Sequence, residues 1–159
     1  MTMLQKLAFV ATLSGLLSAP TASLAQPGSR WALFASDKGT TVQYPADLFP
    51  EGRDTQKGRS FITSDGRATL DIYAGPNEDG ASPEQVVRRT VRTKRTRLTY
   101  DRVAPNFFAI ATRYNNRILY RRCNFDGRMI HCIDLAYPLS EKRAWDYNVT
   151  RISRSLRPL

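Results

Sequence analysis

Apolar and polar residues alternate through most of the stretch from residue 31 to residue 137, in runs that come two by two around turn residues. WALFA (31–35) and TTVQY (40–44) flank Asp37-Lys38-Gly39 and read as a hairpin. RSFIT (59–63) and ATLDIY (68–73) flank Ser64-Asp65-Gly66-Arg67, where Asp-Gly is a strong short-hairpin signal. FFAIATRY (107–114) meets RILYRRC (117–123) across Asn115-Asn116, a pair that tolerates positive φ and so predicts a tight turn. That strand continues through Asp126-Gly127 into MIHCIDLAY (129–137), and a weaker strand, RLTYDRV (97–103), leads into the set. PADLFPEGRDTQKGR (45–59), rich in Pro, Gly and charge, reads as one long surface loop.

The period changes in two places. Ser82 is an N-cap, Pro83 suits the first helical position and Gln85 closes a capping box, so a helix begins there with Val87 and Val91 on one face. A second helix is predicted from about Trp145 to Leu156, with Val149, Ile152 and Leu156 on its apolar side and Arg151 and Arg154 on the other. Strand pairs with two helices and no β-α-β rhythm predict an α+β fold: a single antiparallel β-sheet of hairpins with two helices packed on it. Its expected core is Trp31, Phe34, Tyr44, Ile62, Leu70, Ile72, Phe108, Ile110, Leu119 and Leu135, with Val87, Val91, Ile152 and Leu156 from the helices.

The amino terminus has a different pattern. Lys6 precedes an uncharged apolar run from Leu7 to Ala19, and Ser23-Leu24-Ala25 places small residues where a signal peptidase needs them. The run falls short of the roughly 20 residues that span a bilayer. Residues 1–25 are therefore expected to be a cleaved signal peptide, and 26–159 one domain in the periplasm or outside the cell. In such a compartment Cys123 and Cys132, which face each other across the Asp126-Gly127 turn, are expected to form a structural disulfide.

Charge then changes the picture. Residues 26–87 hold 6 bases and 9 acids, a net of −3, whereas residues 88–159 hold 17 bases and 5 acids, a net of +12. RRTVRTKRTRLTY (88–100) contains six bases and no acid. An anionic partner is the expectation, with Arg88, Arg89, Arg92, Lys94, Arg95 and Arg97 supplying the attraction and Arg121 and Arg122 adding to it. Helix-end cations also have a purely structural use against the helix dipole. Tyr100, Tyr114 and Tyr120 interleave with the bases, yet strand packing explains them better than base stacking. Export argues against nucleic acid as a partner and points instead to an anionic envelope polymer or lipid, or to a membrane or periplasmic protein.

Reactive groups are few. No nucleophile elbow, phosphate loop or dinucleotide fingerprint is present. No cofactor or metal is predicted, because two cysteines and one histidine fall short of a closed zinc site. The enzymatic alternative is an envelope hydrolase using His131 with Asp71 or Asp134. Asn148-Val149-Thr150 matches a glycosylation acceptor, but its mid-helix place makes the match incidental.

YPADLF at 44–49, GRSFITSDGRATLDIY at 58–73 and AYPLSEKRAWDYNVTRISRSLRP at 136–158, behind an export leader, resemble a group of small exported α-proteobacterial proteins. More loosely, the chain resembles the PsbP-type α/β sandwich. That resemblance implies an accessory or binding protein rather than an enzyme, and it carries over no catalytic residue. The Cys123/Cys132 pair is not a feature of the group, so the disulfide rests on this sequence alone.

Overall fold

The computed structural model describes residues 30–94 and 97–159; the leader expected over 1–25, Arg95 and the side chain of Lys94 lie outside that description. Strands β1 (Trp31–Ala35), β2 (Thr40–Pro45), β3 (Gly52–Asp54), β4 (Gly58–Ile62) and β5 (Thr69–Pro76) come first. Helix α1 (Pro83–Lys94) separates them from β6 (Leu98–Ala104), β7 (Phe107–Tyr114), β8 (Arg117–Phe125) and β9 (Met129–Pro138). A short 3-10 turn, Leu139–Glu141, leads to α2 (Lys142–Ser155) and a final strand, β10 (Arg157–Pro158).

The turns follow the local chemistry. Asn115 and Asn116 both take positive φ, +45° and +58°, which joins β7 to β8 by the tightest hairpin connection. Gly66 and Gly127 supply the left-handed residue in the two Asp-Gly turns. At the start of α1 the capping box closes in both directions, Ser82 N–H to Gln85 Oε1 at 2.9 Å and Gln85 N–H to Ser82 Oγ at 3.3 Å.

Two sheets form, not the single sheet expected. Seven strands pair antiparallel in the order β3-β4-β5-β9-β8-β7-β6, and a separate three-stranded sheet has the order β1-β2-β10. The split arises because the chain returns after α2 and lays Arg157 and Pro158 against Thr41 and Thr40, closing the edge of β2. Val42 of that small sheet then packs with Phe49, α2 and one face of the large sheet. Two short strands were also hidden in the sequence: β3, inside the expected 45–59 loop, and β10. Gly58 allows β4 to lie close to β5, since a Cβ there would fall 2.1 Å from the Ile72 carbonyl oxygen.

Strand alternation sorts the large sheet into two faces. Leu70 and Ile72 of β5, Ile118 of β8 and Ile133, Leu135 and Tyr137 of β9 meet Trp145, Val149, Ile152 and Leu156 of α2 in the main core. On the opposite face Phe108, Ile110, Cys123 and Cys132 pack under Val87 of α1 in a smaller one. Cys123 and Cys132 are direct cross-strand partners and form the disulfide. Two expected core residues lie outside both cores. Ile62 and Leu119, 48% and 40% exposed, alternate onto the α1 side where α1 does not reach. Helix α2 starts three residues before Trp145 because the chain enters it from the 3-10 turn, with no side-chain cap for the sequence to reveal.

A candidate anion-binding face

Two bases of the run that begins on α1 are met by acids. Arg88 bonds Glu84 one turn back at 3.1 Å, and Arg89 bonds Asp79 at 3.0 Å, both pairs in solvent. Arg92 and Arg97 are exposed. Arg121 and Arg122 do not act together, because adjacent residues of β8 point to opposite faces. Arg121 lies on the α1 side, directly across from Asp134, and donates to it twice, Nε–Oδ1 at 2.6 Å and Nη2–Oδ2 at 2.5 Å. Those hydrogen bonds raise the Arg121 pKa further above its ordinary range. Tyr73 adds a third hydrogen bond to the same carboxylate at 3.3 Å.

Arg122 belongs to a different group of arginines on the α2 side. In the sheet register Ala109 of β7 lies between Arg102 of β6 and Arg122 of β8, which places both guanidinium groups beside Phe107. Arg122 stacks 4.2 Å from the Phe107 ring centre and Arg102 lies 5.4 Å from it. Asn124 fixes the arrangement: its Oδ1 accepts from Arg122 Nε at 3.0 Å, and its amide donates to the Leu156 carbonyl at 2.9 Å. Arg157 is thereby brought alongside. Burial lowers the Arg122 pKa first, and the like charges of Arg157 and Arg102 lower it further.

Arg157 continues the basic surface into an open groove between the small sheet and α2. Leu33, Gln43, Tyr147, Arg151, Arg154 and Arg157 line it. Arg151 lies 4.0 Å from the ring centre of Trp31 and donates to the Tyr147 hydroxyl at 3.1 Å. Arg102, Arg122, Arg151, Arg154 and Arg157 thus follow one another from β6 across β8 and β10 to α2. Among the described residues none of the five forms an ion pair, and residues 1–29 and 93–96 contain no acid. Like charges gathered without counter-charge attract an anion, and planar guanidinium groups suit phosphate, sulfate or carboxylate oxygens.

The face of the large sheet beyond α1 offers a different surface. A cleft of about 440 Å³ lies there, walled by Val91, Leu98, Ile110, Leu119 and Ala136, with the Arg121–Asp134 pair and Asp71 in its lining. His131 does not join this constellation. It alternates to the opposite face from Asp134, is buried at 2% exposure, and bonds Thr40 Oγ1 at 2.8 Å and Asp126 Oδ2 at 3.3 Å. The pairing of His131 with Asp71 or Asp134 in a hydrolase is therefore corrected by the sheet itself. Asn148 is likewise fully buried in α2, which removes the glycosylation match.

No protein family model matches the chain, and no curated protein matches it. A solved structure does. The solution structure of cyanobacterial PsbP (CyanoP) from Synechocystis sp. PCC 6803 superposes with a TM-score of 0.64 at 11% identity, over 91% of this chain and 100% of that one. The fold is PsbP-like. At this identity the likeness concerns the fold alone, so the arginine face stands on its own geometry.

Proposed function

We propose that the protein is an exported, non-enzymatic accessory protein that binds an anionic component of the cell envelope through its arginine face. One observation carries this reading: Arg102, Arg122 and Arg157 gather around Phe107 and Asn124 with no acid paired to them. The leader-like residues 1–25 support export. The PsbP-like fold supports an accessory role by analogy. The basic run of the sequence, Arg88, Arg89, Arg92, Lys94, Arg95 and Arg97, adds long-range attraction, and the Arg102–Arg122–Arg157 group provides the contact.

A thermal-shift series on the oxidised protein tests the reading, with lipopolysaccharide, anionic lipid, acidic polysaccharide and single-stranded DNA at low and moderate salt. A ligand that binds only the folded chain raises the melting temperature. Because the attraction is between charges, the rise should shrink as salt increases. A flat response to every envelope polyanion would overturn the proposal.

A further inference from the structure

The arginine face is not uniformly polar, and its apolar members are placed where a dissolved polymer would have no use for them. Leu33 is 66% exposed and Tyr147 is 43% exposed, and both line the groove that holds Arg151, Arg154 and Arg157. Leu33 lies opposite Gln43 in the β1–β2 ladder, on the side away from Phe34 and Val42, which pack with the main core. Tyr147 is held from both sides. Trp31 meets its ring edge-on at 6.3 Å between centres, and Arg151 bonds its hydroxyl.

We infer that this face docks on an anionic phospholipid surface, with the arginines on lipid phosphates and Leu33 and Tyr147 entering the headgroup layer. The inference rests on the anion-binding reading and names the occupant within it. A bilayer surface supplies both halves of what the face presents: negative phosphodiesters for the guanidinium groups, and an apolar boundary beneath them. Tyrosine suits that depth because its ring is apolar and its hydroxyl stays hydrated. Arginine suits phosphate because its fork donates two parallel hydrogen bonds. A soluble polyanion would satisfy the same charges and leave Leu33 in water. Among the described residues no helix is long and apolar enough to cross a membrane.

The test is co-sedimentation of the whole oxidised protein with vesicles of phosphatidylcholine, alone and mixed with phosphatidylglycerol, beside a heparin-affinity arm. Wild type should partition to the mixed vesicles and not to phosphatidylcholine alone. Replacing Arg102, Arg122 and Arg157 by Gln should lower vesicle partition roughly a hundredfold, at about 1 kcal/mol for each base at the surface. It should also weaken heparin binding. Leu33→Ser should lower vesicle partition about fivefold and leave heparin affinity unchanged. Leu33 is exposed, and an unaltered melting temperature confirms folding. If the Leu33 variant partitions like wild type, or if wild type binds heparin and ignores vesicles, the lipid inference is overturned while anion binding stands. If wild type binds neither, both fall.

Discussion

Asp134 receives Arg121 twice and Tyr73 once, on the α1 side of the large sheet and directly across from Asp71. The two charged side chains are 32% and 29% exposed, between a surface pair and a buried one. Asp134→Ala leaves Arg121 without its partner beside the α1 cleft, and should destabilise by about 1–3 kcal/mol, above the surface-pair range and below the fully buried one. Urea unfolding of this variant and of the Arg121→Met/Asp134→Leu double variant checks the assignment, since the double variant removes both charges and should recover much of the loss. Three phenols respond to their surroundings as well. Burial pushes the Tyr137 pKa up to about 12 and raises those of Tyr73 and Tyr120, with the Asp134 charge adding to the shift at Tyr73. A raised folded-state pKa means that the neutral phenol contributes its full stability below the unfolded value near 10. That contribution is lost as pH climbs through the folded value, so for Tyr137 the loss spans about pH 10 to 12. Absorbance titration of the seven tyrosines should therefore show a late group that ionises together with unfolding; a single transition near pH 10 in the folded protein would contradict it.

The hairpin β8–β9 is the element on which both cores depend. Its main-core face carries Ile118, Ile133 and Leu135, and its other face carries Cys123 and Cys132 under α1. The disulfide sits with the smaller core, which has few other buried side chains. Replacing both cysteines by Ala should cost about 2–3 kcal/mol on the chain-entropy estimate. Hydrogen exchange should rise first in α1 and β7, while α2 stays protected; uniform loss of protection would contradict this division. Elements of this kind were largely legible in the sequence, because Asn115-Asn116, Asp65-Gly66 and the Ser82/Gln85 box each specify a backbone geometry locally. Two strands were not. Gly52–Asp54 and Arg157–Pro158 are too short to show a period, and each exists only because a neighbouring strand offers an open edge. Ile62 and Leu119 misled for a related reason: alternation gives a residue its face, but only the length of α1 decides whether that face is covered.

At the scale of the whole molecule, sequence neighbours and spatial neighbours part company. RRTVRTKRTRLTY is the densest basic run, yet Arg88 and Arg89 in it are met by acids. Arg102, Arg122 and Arg157 are scattered through the carboxyl-terminal half, and only the register of β6, β7 and β8 with the return of β10 assembles them. The part of this within reach of the sequence was parity: Arg121 with Asp134, Arg122 away from it, and His131 away from Asp134. The convergence on Phe107 needed the pairing partners, which one sequence does not contain. Reversing Arg88 and Arg92 to Glu should consequently weaken polyanion binding only modestly at moderate salt, and reversing Arg102 and Arg122 should abolish it; the opposite ranking in a heparin-elution series would return the site to α1.

The five residues of the face are all arginine, with neither lysine nor histidine among them. A guanidinium group keeps its proton at any pH a cell compartment reaches, even where burial and like charges pull it down as at Arg122. Acylation of lysines would leave the face untouched, and the single histidine, His131, is buried beside Asn124 in the β8–β9 ladder and is not one of the five. On the proposed reading, adhesion through this surface has no internal off-switch. Its strength should stay level from about pH 5 to 9 and yield only to what is dissolved around it: salt, competing polyanions, or cations that occupy the target first.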